Sequence, residues 1–188
     1  MKRHFHSSRV CLLLAFLALF DVPGFAVSND AVILQDQGDR VTLANGIVSV
    51  TLLKTTAAIP AMTLGQSPNL AGRGGYFAIV NSGGHDGWDV HNAVYKVVRN
   101  TPGLVELSLD ALVGNVHFDQ HYILRRGDQG YYVFVIMRHH ESEPRESNGQ
   151  IRWSFYLNSN LFNYQLASDA EQGIIPDMRG SQKVQDAT

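Results

Sequence analysis

Apolar and polar positions along this chain alternate with period two far more often than with period 3.6. The stretch RVTLANGIVSVTLL, Arg40 to Leu53, shows it first: two alternating runs flank the dipeptide Asn45-Gly46. That pattern predicts a β-hairpin, and Asn and Gly both tolerate the positive φ that a type I′ turn demands. Further β-rich runs are GYFAIV, HNAVYKVV, LVELSLDAL, VHFDQHYIL, YYVFVIM, IRWSFYLN and FNYQLA, separated by the breakers NSGGHDG, NTPG, RRGDQG and EPRESNG. No segment carries an amphipathic helical stripe. Many short strands at this spacing predict an all-β fold, either an antiparallel β-sandwich or a large curved sheet stack. With no internal repeat and no low-complexity linker, a single domain is expected.

The N-terminus departs from this pattern. Lys2, Arg3 and Arg9 precede the apolar block VCLLLAFLALF, and Gly24 and Ala26 stand at the small-residue positions of a cleavage site. Residues 1–26 therefore read as a secretory signal peptide, and residues 27–188 as the mature domain. The apolar block is about half of the ~20 residues that a membrane-spanning helix needs. Removing Lys2, Arg3, Arg9 and Asp21 with the leader takes the formal charge from −2 to −4. A mildly acidic chain without a basic tract offers no footprint for nucleic acid or anionic membrane. The one cysteine, Cys11, lies in the leader, so no disulfide and no sulfur ligand is expected in the mature protein. The remaining chain must be held by its core, and a monomer with no cofactor and no metal is expected.

Several short motifs require weighing. Arg126-Gly127-Asp128 has the letters of an adhesion signal, but it lies in RRGDQG between two β-rich runs, where Gly127 and Gly130 serve a hairpin turn. His117 and His121 have the i, i+4 spacing that on a helix presents two ligands to one metal. On a strand the same spacing spans about 13 Å, too far for one ion. Adjacent His139 and His140 point to opposite faces of a strand unless the strand has already ended. The loop Asn81 to His91 gathers His85, Asp86, Trp88, Asp89 and His91 among three glycines. An ordinary sheet connection, a metal site at His85, Asp86 and His91, and a sugar-stacking role for Trp88 all fit it.

In QIRWSFYLN, alternation places Ile151, Trp153, Phe155 and Leu157 on one face and Arg152, Ser154, Tyr156 and Asn158 on the other. The first set reads as core. The second has the character of a groove floor, on which Tyr156 would stack against a sugar ring or serve as an ordinary sheet tyrosine.

The ordered set HYILRRGDQGYYVFVIMRH, GQIRWSFYLNSNLFNYQLASD, IIPDMRG and VQDAT, with VTLANGIVSVTL upstream, resembles the N-terminal domain of the rhamnogalacturonan lyases of polysaccharide lyase family 4. The resemblance runs from about Val41 to Thr188. It implies a sandwich of galactose-mutarotase-like type, incomplete here, with the family's downstream modules absent. It also implies a secreted enzyme that cleaves the rhamnogalacturonan I backbone of pectin by β-elimination at galacturonate. Arg152 falls where the family carries its substrate-binding arginine, and that makes it the expected carboxylate clamp. The family's lysine base and histidine acid belong to sequence beyond Thr188. Lys54, Lys96 and Lys183 do not match its lysine motif, so the catalytic residues stay unassigned and a fragment inactive alone is expected. A non-catalytic carbohydrate-binding sandwich is the alternative. A sugar epimerase of the same superfamily is another, but it needs a histidine acid and a carboxylate base facing one pocket.

Overall fold

The structure is a computed structural model that describes residues 30–81 and 90–175, and within them it is all-β. Strands β1 (Ile33–Asp36), β2 (Arg40–Ala44), β3 (Val48–Leu53) and β4 (Ala61–Leu64) form an antiparallel meander. Strands β6 (Val94–Thr101), β7 (Leu104–Val113), β8 (Val116–Arg125) and β9 (Tyr132–His139) form a second. Between them in sequence runs β5 (Ala71–Asn81), which pairs with the distant β10 (Asn148–Leu157). A short hairpin, β11 (Tyr164–Leu166) and β12 (Gln172–Ile174), follows.

The period-two pattern decides which face of each meander is buried. Val41 and Leu43 of β2 and Val48, Val50 and Leu52 of β3 point inward from the first sheet. Val105, Leu107, Leu109, Phe118, Tyr122 and Leu124 point inward from the second, and all these side chains form one cluster. Two antiparallel sheets sharing one apolar layer are a β-sandwich. Each fully buried Leu or Phe contributes about 1.5–3 kcal/mol relative to exposure, so this layer is the main source of stability. Tyr122 reaches across it: its buried hydroxyl donates to the Ala57 carbonyl at 2.9 Å. Ala57 itself holds a left-handed φ of 53°, a strained position for a residue with a Cβ.

The loop between β2 and β3 differs from the expected tight turn. Asn45 is not left-handed; among its residues only Gly46 has positive φ, at 79°. The turn is shifted one residue along the chain, because Ala44 pairs with Ser49 and the Asn45 amide bonds to the Val48 carbonyl at 3.1 Å, leaving Gly46 and Ile47 between them. The Asn45 side chain is the reason. Its Oδ1 accepts from the amides of Ile47 (3.0 Å) and Val48 (2.8 Å), while Nδ2 donates to the carbonyls of Arg125 (2.7 Å) and Asp128 (2.8 Å). One fully buried amide thus folds its own turn and grips the turn between β8 and β9 on the other sheet.

That second turn contains Arg126-Gly127-Asp128. Gly127 takes φ 76°, the Arg126 amide bonds to the Gly103 carbonyl, and the Arg126 side chain donates to the Pro102 carbonyl at 3.2 Å. A tripeptide whose backbone and arginine are engaged in this way is a structural turn. Strands β1, β4 and β12 were not anticipated, being three or four residues long. The expected core face of β10 is half realised: Trp153 and Phe155 pack against the core, whereas Ile151 and Leu157 are exposed. Strand β9 ends at His139, so the alternation argument does not extend to His140.

Replacing Asn45 by Ala leaves two carbonyls and two amides without their partner, each a desolvated group costing on the order of 1 kcal/mol or more. Asn45→Ala should therefore lose roughly 3 kcal/mol or more of stability, read as a lower urea midpoint at unchanged slope.

Candidate functional site

Arg152 and Tyr156 stand on the same face of β10, exposed, as alternation predicts. Ser154 lies between them and pairs with Tyr76 of β5. This register brings the Tyr76 and Tyr156 rings into a stacked pair, with centroids 6.0 Å apart and planes 23° from parallel. The Tyr76 hydroxyl lies 3.4 Å from that of Tyr156. Burial pushes the Tyr76 hydroxyl above its ordinary pKa and the Tyr156 hydrogen bond adds to this, while Ser154 and the positive charge of Arg152 oppose it. Arg152 is thus within electrostatic reach of the tyrosine pair. At the other end of the pair, the Arg73 guanidinium lies 5.9 Å from the Tyr156 ring. Among the described residues the side chain of neither Arg73 nor Arg152 makes an ion pair or a hydrogen bond. Neither strand contains an acidic residue.

Arg73 and Tyr76 were not anticipated from the sequence, yet a signal for them exists. The stretch Gly72-Arg73-Gly74-Gly75 puts three glycines inside a strand, which commonly marks a bulge or a close backbone approach. Both occur here. Leu157 pairs with Ala71 and Tyr156 with Gly74, so Gly72 and Arg73 are extra residues on the β5 side. Gly74 takes φ 97°, and a Cβ on it would sit 2.5 Å from the Ile59 carbonyl oxygen. A Cβ on Gly75 would run into the Phe155 ring. The glycines are what allow the strand to bulge and present Arg73 beside Tyr156.

The opposite side of β10 faces an opening of about 550 Å³ bounded by Leu64, Tyr131, Trp153 and Phe155. No charged side chain lines it, so it offers no cation to a carboxylate. Trp88, with His85 and Asp86, lies outside the described residues, as does Lys183.

The outer face of the β6–β9 sheet holds a different chemistry. Asp110 and Asp119 pair directly across β7 and β8, and such like charges repel. Arg138 of β9 relieves this by bonding Asp119 at 3.1 Å and Asp110 at 2.6 Å. Ser108 also bonds Asp119. His117 and His121 share this face but serve separate acids: His117 lies 3.3 Å from Asp110, and His121 Nδ1 lies 2.8 Å from Glu106. His121 Nε2 is 3.4 Å from Asp119 without hydrogen-bond geometry, and the imidazole stacks on Phe134 at 4.5 Å. Lys96 lines the same depression. A histidine and carboxylates therefore do share one face, as an epimerase would need, but Glu106 is held by His121, and Asp119 by Arg138 and Ser108. Three carboxylates here also disfavour a uronate. Lys54 is committed too, at 2.5 Å to Asp36 and 4.5 Å over the Tyr95 ring. Among the described residues no group of three His, Cys, Asp or Glu is arranged to hold a metal ion, and no helix is long and apolar enough to cross a membrane.

Burial raises the Asp119 pKa, but the Ser108 and Arg138 hydrogen bonds and the charge of His121 outweigh it, leaving the carboxyl below its ordinary 3.8. A carboxyl depressed by folding contributes stability above its unfolded pKa and loses it as pH falls through the folded one. The stability difference between the native chain and Asp119→Asn should therefore be largest near about pH 6 and shrink toward about pH 2, measured by denaturant titration at each pH.

Searches of curated proteins and of solved structures returned no match. The sequence profile described as the Rhamnogalacturonate lyase family matches residues 21–187, nearly the whole chain. A match over nearly the whole chain, to which the antiparallel sandwich conforms, shows that the chain belongs to the rhamnogalacturonate lyase family.

Proposed function

We propose that the β5–β10 face binds the galacturonate units of the rhamnogalacturonan I backbone of pectin, with Arg152 as the carboxylate clamp and Tyr76 and Tyr156 as the platform for the sugar. The observation that carries this is a stacked tyrosine pair flanked by two uncommitted guanidiniums on strands free of acidic residues. A planar guanidinium fork matches a carboxylate with two parallel hydrogen bonds, and an aromatic face accepts the C–H side of a pyranose. Family membership supports a polysaccharide lyase of the pectin-degrading kind.

In β-elimination at a uronate, a base removes the C5 proton and the C4 oxygen departs. Negative charge builds on the carboxylate as the proton leaves, and a fixed cation within reach stabilises it. Arg152 is suited to that task because it stands exposed beside the tyrosine pair and no acid among the described residues neutralises it. Proton transfer needs a second set of groups. Lys54 is held by Asp36, and His121 by Glu106 on the other sheet, so neither serves the Arg152 face. The reading is therefore a secreted endolyase domain, monomeric, that recognises rhamnogalacturonan while the 188 residues alone do not turn it over.

Arg152→Ala should weaken binding of a rhamnogalacturonan oligosaccharide about tenfold, measured by calorimetry, because a charge-assisted pair is worth about 1.5–3 kcal/mol before screening by solvent. Circular dichroism should be unchanged. Unaltered affinity would make Arg152 a solvated surface residue. Incubating the chain with the polymer should give no ultraviolet absorbance from a 4,5-unsaturated uronide; its appearance would mean that the proton-transfer pair lies within these 188 residues.

A further inference from the structure

The Arg152 face is not a single cation beside an aromatic. In order along it stand Arg152, the Tyr76–Tyr156 pair and Arg73. Arg152 and Tyr156 are four residues apart on one strand, about 13 Å between Cα atoms. Arg73 lies beyond Tyr156, with its guanidinium 5.9 Å from that ring. The Cα atoms of the two arginines thus stand farther apart than the width of one pyranose ring, since Gly74 is opposite Tyr156 and Arg73 lies beyond it.

We infer that Arg73 is a second carboxylate-binding residue, so that the face reads anion, neutral sugar, anion along a polysaccharide. This rests on the Arg152 reading and deepens it to a rule of selectivity. A chain alternating uronate with neutral sugar puts a carboxylate at each guanidinium and an uncharged ring over the tyrosines. A chain with a uronate at every position puts a third carboxylate over two aromatic faces, whose π electrons repel it and where no cation is placed to meet it. The bulge is the structural support for this role. Without Gly72 and Gly74 the chain could not bring Arg73 to Tyr156, since a side chain at either glycine meets a backbone carbonyl oxygen, Leu157 or Ile59. Arg73 is free to take a ligand because no described residue pairs with it.

Calorimetry on the full chain with three probes tests the assignment: the trisaccharide galacturonate-rhamnose-galacturonate, the disaccharide rhamnose-galacturonate, and trigalacturonate. Arg73→Ala should weaken the alternating trisaccharide about five- to tenfold, leave the single-uronate disaccharide unchanged, and reduce the native preference for the alternating trisaccharide over trigalacturonate. Arg73→Lys should recover part of the loss by restoring charge without the fork. Unchanged melting temperatures exclude a merely structural effect. Arg152→Ala should weaken both the alternating trisaccharide and the disaccharide. If Arg152→Ala does so while Arg73→Ala matches the native chain for all three probes, or weakens the trisaccharide and the disaccharide equally, the role of Arg73 is overturned and the Arg152 clamp stands. If neither variant changes any affinity, both readings fall.

Discussion

The sandwich depends on the four hydrogen bonds of the Asn45 amide more than on any other polar contact described. A buried primary amide has to satisfy both a donor and an acceptor end, and Asn45 does so by facing its own loop with one and the opposite sheet with the other. Apolar side chains alone hold two sheets together without fixing how one slides over the other, since the hydrophobic effect has no direction. Hydrogen bonds have direction, and these four set the β2–β3 loop against the β8–β9 turn. Tyr122 adds a second directed contact across the same core, to the carbonyl of the strained Ala57.

With the sheets so fixed, the molecule presents two faces of opposite electrostatic character. On the β5–β10 ribbon the charged groups are two arginines, neither strand contains an acidic residue, and an aromatic pair lies between the two. On the β6–β9 sheet three carboxylates, two histidines and Arg138 form a ladder in which nearly every charge has a partner. The first arrangement leaves cations unsatisfied until an anion arrives. The second satisfies itself, and its energy goes into holding strands in register. That contrast, rather than the size of any opening, is what separates a candidate binding face from a structural one.

Much of the fold was legible from alternation, because a strand buried on one face has to repeat with period two. The hairpin of β2 and β3 and the run from β5 to β10 followed from it, and so did the shared face of Arg152 and Tyr156. Alternation says nothing about which distant strand lies alongside, and so the partners of that face were hidden: Tyr76 and Tyr156 are 80 residues apart in sequence. Arg73 was visible only indirectly, through glycines whose meaning as a bulge depends on where Ile59 and Phe155 lie. Asn45 was recognised as a turn residue for the wrong reason. Its conformational tolerance drew notice, while its hydrogen-bonding capacity across the core was what the fold used.

The bulge in β5 also sets a phase. Residues before it and after it belong to the same strand, but the two extra positions decide which side chains downstream face outward. Tyr76 now lies in the tyrosine pair, while its neighbour Phe77 packs on Trp153 at 4.6 Å. Shortening the stretch by a single residue would invert that choice, sending a phenyl ring to the sugar face and a phenolic hydroxyl into the apolar layer. Among homologous chains, this short glycine-rich segment should therefore tolerate changes of length only in steps of two.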